Sequence, residues 1–134
     1  LLESSILFTK KEDENDGRLT VREVLGWHHN LNARLVVFVS CNTARGLRVG
    51  GEGIISLARA FAYAGVPATI AATAPVPDNK HSASLLNWLH QNMDKGMSKD
   101  RALAAAKRQL MNSQHPYYWA NFILLGDPSP MRSK

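Results

Sequence analysis

The sequence has few cysteines and no long apolar run, and each scarcity excludes a class of protein. A single cysteine cannot form a disulfide within the chain, which excludes the disulfide-stapled folds of small secreted proteins. No apolar stretch approaches the length of about 20 residues that a transmembrane helix needs, and no signal peptide opens the chain. We therefore expect a soluble, cytoplasmic protein without a membrane partner.

Aromatic residues are also few, at 7% of the 134 residues, and they do not interleave with the basic ones. The formal net charge is +5, but the basic residues are scattered, so nucleic acid is not a predicted partner. No His/Cys cluster has the spacing of metal ligands, and we predict neither a metal nor another cofactor. The length and the apolar content of 45% fit one domain, residues 1–134.

The hydrophobic pattern predicts strands and helices in alternating order. Helices are expected over residues 20–26, 54–64, 78–96 and 98–111, with a short strand over 5–9 and core strands over 35–40, 68–73 and 121–125. Thr20 and Glu23 have the spacing of a capping box at the start of the first helix. The alternation of strands and helices predicts right-handed crossovers and an α/β fold with a mainly parallel sheet.

Three core strands would leave an apolar parallel edge open, and proteins normally cover such an edge. We therefore expect chain upstream of Leu1, or a partner, to supply the remaining strands. The first residue is not Met, which indicates a processed or excised piece. An open edge would also allow self-association.

The strand over residues 35–40 runs directly into Cys41, the only cysteine. Sites in open parallel sheets lie just outside the carboxyl ends of the strands, where this thiol is expected. Arg45 and Arg48 follow closely, and positive neighbours favour the reactive thiolate. A lone cysteine can equally be core filling, because free cysteine is among the most buried residue types.

A nucleophilic cysteine needs a histidine as its base. His28 and His29 precede the cysteine's strand and are separated from the thiol by roughly 20 Å of extended chain. His115 precedes the last strand and is assigned to that same distant end. His81 and His90 belong to a predicted helix, with His81 at its start. The base is therefore expected outside these 134 residues.

Gly50-Gly51-Glu52-Gly53 opens a predicted helix, and its N–H groups could stabilise an oxyanion. Binding of an anion or nucleotide is the weaker alternative, because the segment matches neither the dinucleotide fingerprint nor the phosphate-loop pattern.

Several of these segments carry a specific family resemblance. Together they resemble the CHAT domain, and they occur in the order that this family has. The segments are residues 16–26, 35–46, 50–65, 96–103 and 115–122, with Pro75-Val76 and Gly126-Asp127. CHAT is a caspase-like family that is often joined to tetratricopeptide repeats. The resemblance implies a caspase-like three-layer sandwich with a mainly parallel sheet, of which this chain is only the C-terminal part.

The same resemblance implies a cysteine peptidase with a Cys–His dyad. Cys41 matches the nucleophile, and the family's histidine would fall before Leu1, so that the N-terminal strands and the catalytic His segment are missing. Asn42 and Thr43 follow the nucleophile and are expected to contact the substrate.

Two segments depart from the family pattern. Val39-Ser40 stands where Ser-Ala is common, and Ala74-Pro75-Val76-Pro77-Asp78 replaces a Trp-Pro-Val-Asp-Asp pattern. An acidic residue here would suit a basic residue at the cleavage site, and Asp78 remains as the candidate.

Two hypotheses follow from the sequence. In the first, the chain is part of a cysteine endopeptidase that acts on a protein or peptide, together with a tetratricopeptide-repeat region in the same or a partner chain. In the second, it is a catalytically inactive caspase-like scaffold or interaction module.

Overall fold

A computed structural model describes residues 5–7, 16–28, 31–39, 51–76 and 79–131, with only the backbone of residue 7 and residues 51–53. Cys41, Asn42, Thr43 and Asp78 therefore lie outside the described residues. The helices and strands, in chain order, are β1 Ser5–Leu7, β2 Arg18–Thr20, α1 Val21–Gly26, β3 Val36–Phe38, α2 Gly51–Tyr63, β4 Ala68–Ala72, α3 Lys80–Asp94, α4 Lys99–Met111, a 3-10 turn at Pro116–Tyr118, and β5 Phe122–Gly126.

The main sheet has the strand order β3-β4-β5, and β1 pairs with β2 in a separate antiparallel ribbon. β3 runs parallel to β4, with Phe38 opposite Ala71. β5 runs antiparallel to β4, with Ala72 opposite Phe122 and Ala68 opposite Gly126. The α/β class is confirmed, and the described sheet is mixed because of its last strand.

The number of intervening helices explains the direction of β5. One helix, α2, carries the chain from the end of β3 back to the start of β4, which gives a parallel pair. Two helices, α3 and α4, follow β4 and pack against each other. α3 carries the chain away from the end of β4, and α4 brings it back. The chain therefore enters β5 beside the end of β4.

The sheet separates two apolar cores, which gives three layers. On one face, α3 and α4 pack against alternate residues of the strands, Val37, Ile70, Ala72, Phe122 and Leu124. On the other face, α1, α2 and the β1–β2 ribbon form the second core with Val36 and Phe38. Small residues, Ala60 of α2 and Ala64 just after it, allow this helix to lie close to the sheet.

The capping box predicted for α1 is present. The Thr20 hydroxyl accepts a bond from the Glu23 N–H at 3.2 Å, and the Glu23 carboxylate accepts one from the Thr20 N–H at 2.7 Å. The Thr20 N–H lowers the pKa of the Glu23 carboxyl most strongly, followed by the Thr20 hydroxyl, which also donates to this carboxylate at 2.7 Å. Such reciprocal bonds satisfy two free donors at the start of a helix.

A fully buried lysine joins α4 to the segment after β5. The Lys99 side chain is 1% exposed, and its Nζ donates to the Ser129 carbonyl at 2.7 Å and approaches Asp127 Oδ2 at 3.5 Å. The Lys99 N–H donates to the Pro128 carbonyl at 2.9 Å. Because burying an unpaired ammonium is costly, these partners fix the start of α4 against the end of β5.

Substitution of Gly126 with alanine should destabilise the domain. Gly126 has a φ of +96°, and a Cβ there would lie 2.3 Å from the Pro67 carbonyl oxygen. Left-handed strain and backbone overpacking together predict a loss of about 2–4 kcal/mol in the free energy of unfolding. Urea denaturation followed by tryptophan fluorescence measures it.

The matched control is Gly96→Ala, where φ is +86° and a Cβ would meet no atom within 4 Å. Only the strain is expected there, about 1–2 kcal/mol. Equal losses at the two glycines would contradict the close approach to Pro67.

Asp127, which follows β5, should make the free energy of unfolding depend on pH in the acidic range. The Ser129 hydroxyl, then the Ser129 N–H, and less strongly Lys99 hold the pKa of Asp127 below its ordinary value. A lowered folded pKa stabilises the domain above the unfolded pKa of about 3.9, and this stabilisation is lost as pH falls through the folded value. We expect Asp127→Asn and Ser129→Ala to flatten the fall of the unfolding free energy below about pH 4. Identical pH slopes for the wild type and Asp127→Asn would contradict this assignment.

Candidate active site at the carboxyl edge of the sheet

Three strands and two helices meet at one edge of the sheet, here called the carboxyl edge. β3 and β4 end at this edge, because Phe38 lies opposite Ala71 in a parallel pair. β5 begins there, because Phe122 lies opposite Ala72 in an antiparallel pair. α3 starts and α4 ends at the same edge. The start of α4, where Lys99 contacts the segment after β5, lies at the opposite edge.

The predicted site residues lie outside the described part of the chain, but their sequence neighbours lie at this edge. β3 ends at Phe38, three residues before Cys41. Asn79, which follows Asp78, caps the first turn of α3. The nucleophile, the substrate-contacting roles of Asn42 and Thr43, and the specificity role of Asp78 stay predictions.

The assignment of His115 to the distant end was wrong. That assignment assumed a parallel last strand, whereas β5 runs antiparallel, so the turn before it lies at the carboxyl edge. His81 is at the start of α3, as expected, and therefore lies at the same edge. His90 belongs to a helix, as predicted; it is exposed on α3, and its Nδ1 lies 2.7 Å from the Leu86 carbonyl oxygen.

His115 acts as a cap for the turn that follows it. Its Nδ1 accepts a bond from the Tyr117 N–H at 3.2 Å, and its carbonyl accepts one from the Tyr118 N–H at 3.0 Å. A neutral ring that accepts at Nδ1 carries its proton on Nε2. Neither nitrogen then has a lone pair available, so in this arrangement His115 does not serve as a general base.

The end of β4 is joined to the start of β5 through Asn121. The Asn121 carbonyl accepts bonds from the Thr73 N–H at 3.0 Å and from the Thr73 hydroxyl at 3.2 Å. The Asn121 side chain donates to the Tyr117 carbonyl at 3.3 Å. These bonds connect the chain after β4 to the turn before β5 and hold both at the carboxyl edge.

An aromatic group occupies the same edge. The rings of His81 and Tyr118 have centroids 5.0 Å apart, and those of Tyr118 and Tyr117 are 5.6 Å apart. Tyr117 is 49% exposed and Tyr118 is partly buried. The position of this segment was not predicted from the sequence. Counting the two helices before β5 would have revealed it.

Lys107 stabilises the start of β5. Its Nζ donates to the Phe122 carbonyl at 2.5 Å and to the Ala120 carbonyl at 3.4 Å. Burial lowers the pKa of this amine. Because its hydrogen bonds are directed at backbone carbonyls, Lys107 supports the turn rather than offering a charge to a ligand.

Within the ranges described, no group of three or more His, Cys, Asp or Glu side chains could hold a metal ion. In the same ranges, no helix combines the length and the apolar character that crossing a bilayer requires. The arrangement is that of an α/β domain whose candidate site lies where a parallel strand pair ends.

Comparison with known proteins identifies the family. The sequence model of the CHAT domain matches residues 1–127. The chain is 31% identical over 106 residues to mouse (Mus musculus) Tetratricopeptide repeat protein 28. The aligned part is 77% of this chain and 4% of that protein. The chain is also 30% identical over 118 residues to human (Homo sapiens) Tetratricopeptide repeat protein 28, covering 86% of this chain and 5% of that protein.

The chain belongs to the CHAT domain family, a family related to caspase-like peptidases. It corresponds to only 4–5% of the length of these two relatives. The resemblance found in the sequence is confirmed.

Loss of the α3 cap should loosen the carboxyl edge. Asn79 Oδ1 accepts bonds from the N–H groups of His81 at 3.0 Å and Ser82 at 3.2 Å. We expect Asn79→Ala to lower the free energy of unfolding by about 1 kcal/mol and to speed hydrogen exchange at these two amides. Asn87→Ala, on the exposed face of the same helix, is the control and should leave their exchange unchanged. Equal exchange in both variants would refute the role of the cap.

Proposed function

We propose that this chain is the C-terminal part of a CHAT-type cysteine endopeptidase domain in which Cys41 is the nucleophile. The observation that carries the proposal is the match to the CHAT family over residues 1–127, in a chain whose only cysteine follows β3. The parallel β3–β4 pair supports it, since sites in such sheets lie at the carboxyl ends of strands.

The chemistry would proceed in two steps. The Cys41 thiolate would attack the carbonyl carbon of the scissile peptide bond, and the departing amine would take a proton from a histidine upstream of Leu1. Water would then hydrolyse the thioester, giving up a proton to the same histidine and regenerating the thiolate. Backbone N–H groups after β3, including those of Asn42 and Thr43, would stabilise the oxyanion.

The described histidines support an upstream base. His115 Nδ1 is occupied by the Tyr117 N–H, and the His90 ring nitrogen lies against the Leu86 carbonyl of its own helix. His28 precedes β3 and packs against Tyr63 at the end of α2, at the opposite edge. His81 is the other described histidine at the carboxyl edge, and the test below includes it.

Asp78 would select a basic residue at the cleavage site, since it directly precedes the cap of α3 at this edge. A carboxylate with an arginine side chain forms a strong, bidentate pair. The two relatives are tetratricopeptide repeat proteins by name, so a repeat region in the same or a partner chain is the proposed context for substrate delivery.

The catalytically inactive scaffold is the alternative, and one sequence feature favours it. The segment 74–78 has Pro77 where the family pattern has an acidic residue, which changes the proposed specificity pocket. A cytoplasmic location is proposed for either function.

The decisive experiment treats the complete polypeptide that carries this domain with an arginine-directed covalent peptide probe. We expect an adduct on Cys41, located by mass spectrometry, and none in Cys41→Ala. Peptide hydrolysis should fall by roughly 10³-fold or more in Cys41→Ala. His81→Ala should keep the adduct if the base lies upstream.

A leucine-directed probe of equal reactivity is the control for specificity. Labelling by the leucine probe alone would retain the nucleophile and reject basic selection by Asp78. A folded protein that neither probe nor a general alkylating agent modifies at Cys41 would favour the scaffold.

A further inference from the structure

Charged side chains of the α3–α4 layer are divided unevenly between the two edges of the sheet. The carboxylates described on this layer lie at the opposite edge: Asp94 at the end of α3, Asp100 in the first turn of α4, and Asp127 after β5. Lys80 begins α3 and Arg108 lies in the last turn of α4, so both are at the carboxyl edge. In the described part of this layer, the carboxyl edge therefore carries cations without carboxylates.

Lys80 and Arg108 are both exposed. Lys107, the neighbouring cation, bonds to the carbonyls of Ala120 and Phe122 and is part of the turn. The N-terminus of α3 adds a partial positive charge to the same edge. The described charges of this layer at the carboxyl edge therefore favour a negatively charged ligand.

An aromatic face lies at the same edge as these cations, and His81 of this face directly follows Lys80 in α3. Tyr117 is 49% exposed, and its ring packs against Tyr118, which packs against His81. The backbone beneath it is fixed, since the Tyr117 N–H is held by His115 and its carbonyl by Asn121. A ring held in place loses little conformational entropy when a ligand packs on it.

We propose that this cationic aromatic surface, formed by Lys80, His81, Tyr117, Tyr118 and Arg108, binds acidic residues that flank the cleavage point of a protein substrate. The proposal rests on the proposed function and deepens it. Asp78, outside the described residues, would select the side chain at the cleavage point. The cationic aromatic surface would contact the flanking segment, with its carboxylates on Lys80 and Arg108 and its apolar atoms on Tyr117.

The chemistry of the surface favours an acidic polypeptide over a nucleic acid. A phosphate backbone is bound by a dense basic patch or stripe, whereas the described part of this layer has two exposed cations at the carboxyl edge, together with tyrosine rings. Polypeptide segments supply isolated carboxylates together with apolar groups that pack on such rings.

The test measures binding to the complete polypeptide in its Cys41→Ala form, so that hydrolysis does not interfere. Fluorescence anisotropy compares two labelled peptides, each with one central arginine flanked by either glutamates or glutamines. We expect the glutamate peptide to bind roughly 3- to 20-fold more tightly at low salt, with the difference shrinking as ionic strength rises.

The double variant Lys80→Gln, Arg108→Gln should remove this preference. The matched control is Lys95→Gln, Arg101→Gln, which neutralises one exposed lysine and one exposed arginine at the opposite edge. Because both double variants have the same net charge, the control separates local recognition from general attraction by a basic chain. It should keep the glutamate preference.

A second pair of variants tests the aromatic part. Tyr117→Ala should weaken both peptides by a similar factor, about 3- to 10-fold, because it removes packing rather than charge. Tyr63→Ala removes a tyrosine of similar exposure, 51% against 49%, and should leave binding unchanged.

Four outcomes would overturn the proposal: equal binding of the glutamate and glutamine peptides, equal loss in the two charge variants, equal loss in the two tyrosine variants, or stronger binding of a single-stranded RNA than of the glutamate peptide. These outcomes are distinct from failure of the proposed function. Peptide binding is measured in the Cys41→Ala form, which lacks the thiol. A preference for the glutamate peptide can therefore be found even if Cys41 proves unreactive towards the probes. Conversely, the probes can label Cys41 in a protein that shows no such preference.

Discussion

The pairing of β4 with a strand on each side is the constraint on which the described structure depends. All five residues of β4 are buried; the middle three pair with β3 in parallel, and all five pair with β5 antiparallel. A buried strand must have its backbone groups bonded, and two neighbours of opposite direction meet that requirement here. The ends of these three strands then define the carboxyl edge.

The local features of the fold could be predicted from the sequence because local chemistry determines them. Thr20 and Glu23 form the predicted capping box, and Asn79 and Ser98 are the N-caps of α3 and α4 as their residue types indicate. The core strands fall at the expected apolar runs, although β3 spans only Val36–Phe38.

The direction of β5 could not be read from its composition, since an apolar strand has the same pattern in either orientation. Direction depends on how many helices return the chain, which is a property of topology. The misplacement of His115 followed from this single point. The burial of Lys99 was also hidden, because lysine is almost never fully buried unless it is paired, and its partners follow β5.

The two edges of the sheet differ in what their polar groups do. At the opposite edge, Lys99, Asp127 and Ser129 bond to one another and fix the end of β5 to the start of α4. At the carboxyl edge, His115, Asn121 and Thr73 hold the backbone turns in place. The ring of Tyr117 is exposed there, and that of Tyr118 is partly buried. Stability and presentation are thus supplied by separate groups of residues.

The antiparallel strand has a consequence for the evolution of a site on this fold. In a fully parallel sheet the segment before the last strand would lie at the opposite edge, far from the loop that follows β3. Here the turn over residues 115–121 lies at the carboxyl edge and is bonded to the chain after β4. Its exposed side chains can therefore vary without disturbing the pairing of β3 with β4. The described part of the carboxyl edge is thus built from two bonded segments, one after β4 and one before β5, whose side chains can change while Thr73 and Asn121 hold their backbones together.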